Sequence, residues 1–359
     1  MKILNIFDAL EFSGAEQMFL DSYSDFKKKG FRNEILITKN YKGKAIREFL
    51  KKKVIINQVK FTDKFIWKYI INILSLFKLI SLIRSNKYDC VVINTERNFF
   101  SYLFVSKYLL NIKTIRIVHN NFSFDYLLKI RRKIFVYFAN KIGVKFVSVS
   151  NCVKKNELKN YNNKSKVLLN FINFNKNKIK NKNTNKYKIF TVGNCSSVKQ
   201  HDFLLNALSL LPHNLNWEYL HFGKEEKYNP EQILAKKLNI FNKCKFYGPT
   251  SYWRHYINSN SIFINCSSRE GLSIATLEAI DLGCIPIISN VAGNKTIKKY
   301  LKNVITFNNS IKDFNEKLLK IIMLGELQKS KIRKKITSDL RKNFNKLNYL
   351  EEYQKIINT

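Results

Sequence analysis

Short apolar runs alternate along this chain with longer segments that repeat their apolar residues at helical spacing. The first run, Ile3 to Phe7, precedes a helical segment from about Gly14 to Lys29, and Glu34 to Thr38 is the next run. Such alternation is typical of parallel βαβ units, in which each strand is followed by a crossover helix. Four prolines and eleven glycines in 359 residues argue against a turn-rich all-β sandwich.

The same pattern predicts two series of strands with a polar segment between them. Further strands are expected at Cys90 to Asn94, Lys113 to Val118, Lys145 to Val149, Tyr187 to Val192, Trp217 to Phe222, Lys245 to Tyr247, Ser261 to Asn265 and Cys284 to Ile288. A helix is predicted at Asp202 to Leu211, and the basic tail from Ile311 to Thr359 is helical in pattern.

Residues 173–186 are dense in Lys and Asn and almost free of apolar side chains, so they cannot build a core and are predicted to be a linker. We therefore predict an α/β chain with two Rossmann-like, doubly wound parallel-sheet domains, residues 1–172 and 187–335, that face a cleft. The last segment, residues 336–359, is predicted to be a helix that could pack back on the N-terminal domain.

The charge of the chain is strongly positive and unevenly distributed. The formal net charge is +38, and residues 101–200 alone carry 21 basic and 2 acidic side chains. Such an excess predicts a polyanionic partner, an anionic membrane surface, or both. A nucleic-acid partner is not expected, because no recognition motif appears and the basic residues are not arranged as a groove-reading helix.

Six cysteines are scattered with no Cys-x-x-Cys pair, which is typical of reduced thiols in a cytoplasmic protein. The N-terminal apolar run is too short for a signal peptide, and the most apolar segment, 65–83, is interrupted by Lys68 and Lys78. No His, Cys or Asp residues group at metal-ligand spacing, so we expect no metal. We predict a cytoplasmic location, peripheral on the inner face of the plasma membrane.

Apolar and basic residues interleave between Leu127 and Val144. This pattern is typical of a helix that lies on anionic lipid with its basic groups among the headgroups. The residues predicted to contact the membrane are Lys129, Arg131, Arg132, Lys133 and Lys141. The alternative is a helix that packs on the core and keeps its lysines in solvent.

The segment from Ser267 to Ala279 is the densest chemical signal in the chain. A predicted strand runs into a Ser/Gly loop, and Ser273 is a good N-cap for a helix that ends at Gly283. Free N–H groups at that helix start suit phosphate or sugar oxygens. Glu270 and Glu278 can both face a cavity above the sheet, where carboxylates would accept hydrogen bonds from the hydroxyl groups of a polyol.

Two other readings of these glutamates remain open. Paired carboxylates can hydrolyse a glycosidic bond, although such pairs rarely share one loop and helix. Either glutamate could also be an incidental residue of a solvated helix.

The spacing Glu, seven residues, Glu, within Ser-Arg-Glu-Gly and ahead of Gly-x-x-Pro, resembles the donor-binding signature of retaining glycosyltransferases of family 4, which have the GT-B fold. Other segments resemble this family in the same order along nearly the whole chain. They are Ser13-Gly14-Ala15-Glu16, Val118-His119-Asn120, Val147 to Ser150, Leu169 to Ile172, Val192-Gly193 with Lys199, and Phe246-Tyr247-Gly248.

The resemblance implies roles for individual residues. Lys199 would neutralise the donor diphosphate, Glu278 would bind the ribose hydroxyls, and Glu270 would hold hydroxyls of the transferred sugar. Gly14 would let the first loop approach the diphosphate, and His119 would contact a sugar hydroxyl or a phosphate. Further donor contacts are expected from Gly193, Asn194, Gly271, Leu272 and Ser273. Glu270, Lys199 and His119 are the expected catalytic residues.

One departure from the family concerns the diphosphate. Asn194 stands where relatives often carry an arginine, so one cationic contact is missing or comes from Arg269 or a nearby lysine.

The resemblance therefore implies a retaining hexosyl-type glycosyltransferase that moves a sugar from a nucleotide diphosphate-sugar to a hydroxyl acceptor. It would need no cofactor. The expected acceptor is a lipid-linked glycan in the biosynthesis of a surface polysaccharide, of the O-antigen, lipopolysaccharide or capsule type. Two alternatives remain: a catalytically weak scaffold or binding protein on the same fold, and a nucleotide-sugar epimerase.

Overall fold

The structure, a computed structural model, describes residues 1–11, 13–39, 43, 45–61, 68–121, 125–174, 186–250, 252–258 and 261–359. These residues form two units, of which the first comprises Met1–Asn170 with Lys346–Thr359 and the second comprises Phe171–Asn345. Most of the predicted linker at 173–186 lies outside the described residues.

The N-terminal unit contains a parallel sheet of seven strands in the order β3-β2-β1-β4-β5-β6-β7. The strands are β1 (Lys2–Phe7), β2 (Arg32–Ile37), β3 (Ile56–Gln58), β4 (Cys90–Ile93), β5 (Lys113–Val118), β6 (Lys145–Ser148) and β7 (Lys166–Val167). The helices are α1 (Gly14–Lys28), α2 (Ile46–Lys51), α3 (Lys68–Asn86), α4 (Phe99–Leu103), α5 (Tyr126–Lys141) and α6 (Asn151–Tyr161), and α4 continues as a π-helix over Phe104–Leu109.

The C-terminal unit contains a second parallel sheet, of six strands in the order β10-β9-β8-β11-β12-β13. The strands are β8 (Tyr187–Val192), β9 (Trp217–Phe222), β10 (Cys244–Phe246), β11 (Ser261–Asn265), β12 (Ile285–Ser289) and β13 (Ile305–Phe307). The helices are α7 (His201–Ser209), α8 (Pro230–Lys237), α9 (Ile274–Asp281), α10 (Ala292–Tyr300), α11 (Ile311–Met323) and α12 (Glu326–Asn343), with 3-10 turns at Phe241–Lys243 and Tyr252–Tyr256.

The central strands of both sheets are buried on both faces. Every residue of β9, β11 and β12 is buried, as is β1 from Ile3 onward. Parallel sheets behave in this way because the crossover helices cover both faces, so their strands read as continuous apolar runs. The predicted fold class, two Rossmann-like parallel-sheet domains, is confirmed.

The last helix, α13 (Lys346–Asn358), belongs to the N-terminal unit. The Phe26 and Tyr353 rings have centroids 4.7 Å apart, and Lys346 Nζ lies 2.8 Å from Asp25 Oδ2 on α1. The predicted boundary at residue 336 lies inside α12, whereas the chain returns to the first unit at Lys346.

Within the described part of the chain, none of the helices combines the length and the apolar character that crossing a bilayer requires.

Helix α5 forms at the predicted place, but one of its basic residues is not on the surface. Arg132 is 4% exposed, and its guanidinium pairs with Glu157 at 3.0 Å and with Glu96. The Tyr161 ring lies 4.7 Å from the same guanidinium. The prediction that Arg132 contacts a membrane is therefore wrong, because it lies on the buried face of α5 and pairs with two carboxylates there.

Helix α1 begins with a capping box in which Glu16 is buried. Its Oε2 accepts hydrogen bonds from the Glu11 and Ser13 N–H groups, at 3.1 and 3.0 Å. Burial, partly offset by these hydrogen bonds, raises the pKa of Glu16 from 4.5 to about 7. The helix start therefore holds a carboxyl group that stays largely protonated in mildly acidic solution.

Glu16→Gln is expected to stabilise the protein at alkaline pH and to have little effect at pH 4 to 5. Because burial raises the pKa in the folded state, the contribution of Glu16 is complete below pH 4.5 and is lost as the pH rises through 7. Glutamine keeps the cap and never ionises, so the gain at pH 9 should be on the order of 3 kcal/mol. Melting temperatures of both proteins between pH 5 and 9 measure it, and a constant difference would contradict the prediction.

Candidate functional site

The C-terminal unit has a topological switch point between β8 and β11. These two strands are adjacent in the sheet. The strand that follows β8 in the chain, β9, and the strand that follows β11, β12, lie on opposite flanks of the pair. Loops that leave the carboxyl ends of such strands diverge and leave a crevice where α/β proteins bind ligands. Here the two loops are tied together by a hydrogen bond from the Ser268 N–H to the Val198 carbonyl, at 2.8 Å.

Lys199 and Glu270 form an ion pair at this point. Lys199 ends the loop after β8, Glu270 lies in the loop after β11, and Nζ is 2.6 Å from Oε1. The Ser267 hydroxyl donates to the same carboxylate oxygen at 2.8 Å, and the Asn265 amide donates at 3.4 Å. The Lys199 side chain is 32% exposed and the Glu270 side chain 9% exposed. The carboxylate is therefore buried and fixed by several donors, whereas the lysine is accessible to solvent.

The start of α9 adds backbone donors beside Glu270. Ser273 is the N-cap, and its hydroxyl accepts from the Thr276 N–H at 3.3 Å. The helix ends at Asp281 with Leu282 as its C-cap, and Gly283 follows with a φ of +87°, so the predicted glycine stop is present. A capped helix N-terminus next to a lysine suits an anion, and the glutamate suits a ligand hydroxyl. These are the groups that a phosphorylated sugar presents.

Glu278 pairs with Arg254, a residue that the sequence did not single out. The Arg254 Nη2 donates to Glu278 Oε1 at 2.5 Å, and the two side chains are 32% and 17% exposed. Arg254 lies in the 3-10 turn before β11, and this short turn has no periodic pattern that would have indicated it. The two predicted glutamates thus form two separate ion pairs, Glu270 with Lys199 and Glu278 with Arg254.

Asn194 fixes the loop after β8. Its Oδ1 accepts from the Lys224 N–H at 2.8 Å, so the side chain holds the neighbouring loop after β9. A Cβ on Gly223 would lie 1.9 Å from the Gly193 carbonyl oxygen, so the close approach of these two loops requires glycine. The residue at the position of the frequent arginine therefore has a structural partner.

Gly293 lies against the Glu270 loop in a similar way. A Cβ at this position of α10 would be 2.2 Å from the Glu270 carbonyl oxygen and 2.8 Å from its Cβ. Because both atoms belong to or adjoin the backbone, the loop itself would have to move.

Gly293→Ala is expected to destabilise the C-terminal unit by about 1–3 kcal/mol, the usual cost of overpacking. Gly325→Ala is the matched control, because a Cβ there meets nothing within 4 Å and the backbone has an ordinary φ of −66°. Its effect should stay within about 0.5 kcal/mol. Thermal unfolding of both variants measures the difference, and equal melting temperatures would show that the loop adapts freely.

Two of the predicted site residues belong to the N-terminal unit. Gly14 is the first residue of α1, and His119 follows β5 and contacts Asn94 Oδ1 through Nε2 at 3.2 Å. Burial, with a smaller effect of Arg116, lowers the pKa of His119 to about 3. His119 is therefore a neutral hydrogen-bonding group at pH 7, in a pocket that Asn5, Asn94 and Asn170 also line.

The structure thus gathers most of the predicted donor residues at one switch point. Gly193, Lys199, Glu270 and the start of α9 come together at the carboxyl edge of one sheet. Glu278 lies about one turn into α9.

Comparison with known families agrees with this geometry. Residues 12–176 match the family described as Glycosyltransferase Family 4, and residues 173–338 match the family described as Glycosyl transferases group 1. Together these matches span both units. The chain belongs to glycosyltransferase family 4. It is therefore a glycosyltransferase with the GT-B fold, as the motif had indicated.

One relative with an assigned role is similar to this chain in sequence. The glycosyltransferase is 25% identical over 319 residues, or 84% of its chain and 85% of the relative, to the capsular polysaccharide biosynthesis glycosyltransferase CapH of Staphylococcus aureus.

Solved structures share the fold over the full length. Alr3699/HepE of Anabaena, in complex with UDP and glucose, matches with a TM-score of 0.82 at 13% identity, over 100% of this chain and 99% of that one. A glycosyltransferase from Rickettsia africae matches with a TM-score of 0.79 at 20% identity, over 99% and 97% of the two chains.

Proposed function

We propose that this glycosyltransferase moves a hexose from a nucleotide diphosphate-sugar to a hydroxyl of a lipid-linked glycan, with retention at the anomeric carbon. The observation that carries the proposal is the Lys199–Glu270 pair at the β8–β11 switch point, 2.6 Å apart and beside the capped start of α9. The relation to HepE, which was solved with UDP and glucose, supports a nucleotide-sugar donor, and the relation to CapH supports a role in polysaccharide synthesis.

Lys199 is the residue suited to the diphosphate. It is the partly exposed member of its ion pair, so its ammonium group can meet a phosphate without leaving the carboxylate. In the transition state, negative charge grows on the departing diphosphate, and a cation already in position stabilises it. The Gly271 and Leu272 amides, in the loop just before α9, would complete the anion site.

The two glutamates are suited to hydroxyl groups. Glu270 has Oε1 held by Lys199, Ser267 and Asn265, which fixes the orientation of the carboxylate for the transferred sugar. Glu278 would accept from the ribose hydroxyls, and Arg254 holds it in place. His119, neutral at pH 7, would contact a sugar hydroxyl rather than neutralise a phosphate.

The transfer would proceed on one face of the sugar. The bond between the anomeric carbon and the diphosphate oxygen breaks, the acceptor oxygen forms the new bond from the same side, and the acceptor proton passes to the departing diphosphate. This route needs no enzymic nucleophile, and the charge stabilisation that it does need is the kind that Lys199 supplies.

One assay separates this proposal from its alternatives. The purified protein is screened by thermal shift against nucleoside diphosphates and their sugars, with UDP-sugars first, and products are then analysed with a lipid-linked acceptor. Transfer should release the nucleoside diphosphate and give an axial or equatorial linkage that matches the donor. Binding without turnover would support a scaffold, and a changed sugar still joined to its nucleotide would support an epimerase.

Glu270→Gln should abolish transfer while leaving the fold intact. Glu218→Gln is the matched control, because Glu218 is also buried and paired with lysines, Lys186 and Lys245. It lies near the amino end of β9, whereas Glu270 lies at the carboxyl edge of the same sheet. Equal losses in the two variants would mean that Glu270 acts only on stability.

Helix α5 supports an anionic membrane as the second partner. Its outer face exposes Leu127, Ile134 and Tyr137 at 78%, 59% and 70%, beside the exposed Arg131 and Lys133. Lys141 is also exposed, and Lys129 is partly exposed. A helix with apolar side chains flanked by basic ones binds in the headgroup region of anionic lipid. This surface, without Arg132, is the one we propose to meet the membrane.

The protein is expected to pellet with vesicles of anionic phospholipid, less so as salt rises. Arg131→Glu with Lys133→Glu should weaken vesicle binding about tenfold or more, at about 1 kcal/mol per basic residue. Lys334→Glu with Lys335→Glu makes the same change in net charge on exposed positions of α12 and should have little effect. Equal weakening would indicate a response to total charge, and no binding to any vesicle would exclude the membrane.

A further inference from the structure

Three side chains of types that bind metals meet inside the C-terminal unit, and a buried glutamate lies near them. Cys195 lies in the loop after β8, His201 begins α7, His221 is on β9, and Glu231 is on α8. The Cys195 Sγ and one ring nitrogen from each histidine all lie within 4.8 Å of one another. Burial and, after it, the nearby Glu231 carboxylate raise the pKa of the Cys195 thiol. All four residues are more than nine-tenths buried.

The histidine rings are oriented by hydroxyl groups behind them. The Nδ1 of His221 lies 3.0 Å from Thr191 Oγ1, and the Nδ1 of His201 lies 3.2 Å from the Tyr219 hydroxyl. The two hydroxyls are 2.8 Å apart. When each Nδ1–H donates to its hydroxyl, each Nε2 keeps its lone pair for another partner. Histidines that bind metals are held in this manner.

Two buried polar atoms of this cluster are left unsatisfied by the described residues. The His201 Nε2 and the Glu231 Oε2 are buried without a hydrogen-bond partner among the described residues. Buried polar atoms are nearly always satisfied, because leaving one unpaired costs roughly 1–3 kcal/mol. A single cation would satisfy both atoms, together with the Cys195 sulfur and the His221 Nε2, which are now 3.3 Å from each other.

Three of the four ligand atoms lie near the spacing of a tetrahedral site. Zinc binds nitrogen at about 2.0–2.1 Å and sulfur at about 2.3 Å, which places neighbouring ligand atoms about 3.3–3.7 Å apart. The Cys195–His221 distance of 3.3 Å already fits, and the 4.8 Å limit on the distances to His201 requires movements of about 1 Å. Glu231 would turn its side chain towards the ion to become the fourth ligand.

We propose that Cys195, His201, His221 and Glu231 bind one zinc ion, which has a structural role. A mixed set of sulfur, nitrogen and carboxylate ligands, fully enclosed by protein, suits zinc better than calcium or magnesium. Binding would convert the Cys195 thiol to a thiolate and release its proton to solvent. This proposal replaces, for these residues, the expectation that the chain binds no metal, and it does not depend on the proposed transfer reaction.

The ion would lie under the loop that carries Lys199. It would tie that loop to α7, β9 and α8, while Lys199 itself contacts Glu270 on the other side. Cys195 and Lys199 are four residues apart, so the ion would restrict the movement of the lysine. Loss of zinc should therefore lower the stability of the C-terminal unit first and the binding of a diphosphate second.

The first experiment measures zinc and cobalt in the full chain. Elemental analysis of protein purified without chelator should find about one zinc per chain. After the zinc is removed with a chelator, Co²⁺ should bind and give the thiolate-to-cobalt charge-transfer band together with the intense visible bands of a tetrahedral ion. A wild-type protein that binds neither ion, or a cobalt spectrum without the thiolate band, would overturn the proposal even if no variant folds.

Variants then assign the ligands. Cys195→Ala should lose the charge-transfer band and at least 100-fold in Co²⁺ affinity, whereas Cys244→Ala, at a buried cysteine of the same unit outside the cluster, should keep both. Tyr219→Phe removes only the hydroxyl behind His201 and should weaken Co²⁺ binding about 10- to 100-fold. Retention of the band and full affinity in Cys195→Ala would show that the ion binds elsewhere.

Discussion

Lys199→Ala is expected to lower turnover about 100-fold or more. The lysine is the cation at the β8–β11 switch point, and it is held 2.6 Å from Glu270 by groups that do not have to move during the reaction. Removing one preorganised charge-stabilising donor from an active site typically costs about 100- to 1,000-fold in kcat. Steady-state kinetics with the donor identified by the thermal-shift screen measures the effect.

A loss of folding has to be separated from a loss of catalysis in this variant. Glu270 is 8% exposed, so removal of its cation leaves a buried carboxylate without its ion pair. The double variant Lys199→Ala with Glu270→Gln removes that charge and should recover stability but not turnover. Lys245→Ala, at a lysine that pairs with Glu218 instead, should leave kcat unchanged. Near-normal kcat in Lys199→Ala would show that another residue binds the diphosphate.

Arg132→Ala is expected to destabilise the N-terminal unit by about 3–5 kcal/mol. Its guanidinium pairs with Glu157, which is fully buried, and with Glu96, which also binds Arg116 at 2.6 Å. Removing one member of a buried network leaves uncompensated charge, which costs more than the pair itself contributes. For a unit of this size the melting temperature should fall by roughly 6–20 °C.

The neighbouring Arg131 provides the control. It is exposed on the outer face of α5, 5.9 Å from the Phe135 ring, and Arg131→Ala should change stability by no more than about 0.5 kcal/mol. For vesicle binding we expect the opposite: Arg131→Ala should weaken it more than Arg132→Ala does, because Arg131 is on the proposed membrane surface and Arg132 is not. Equal effects of the two substitutions on stability would contradict the buried network.

Much of the fold could be predicted from local pattern alone. The strands at Tyr187–Val192 and Trp217–Phe222 have the predicted bounds, and Ser273 and Gly283 delimit α9 as expected. Buried strands of a parallel sheet read as continuous apolar runs, and caps act on their own helix, so both signals are contained in a few consecutive residues. The donor motif was visible for the same reason, since its two glutamates share one loop and helix.

The partners of the polar side chains were not predictable in this way. Arg132 lies between Arg131 and Lys133 in a basic run, and the run alone could not show which arginine is buried. Arg254 comes from a 3-10 turn without periodicity, 24 residues before the glutamate that it binds. Hydrophobic period indicates which helix face is buried, but not which charged residue on that face finds a carboxylate.

The amino-acid sequence by itself determined the two parallel-sheet units, the loop and helix that carry Glu270, and membership of glycosyltransferase family 4. Only the tertiary structure decided that Lys199 meets Glu270 across 71 residues, that Arg132 is buried, and that Cys195, His201 and His221 share one interior site. The physical reason is that strands and caps form from neighbouring residues. Ion pairs and metal sites form where the crossover connections of a sheet bring distant loops to the same edge.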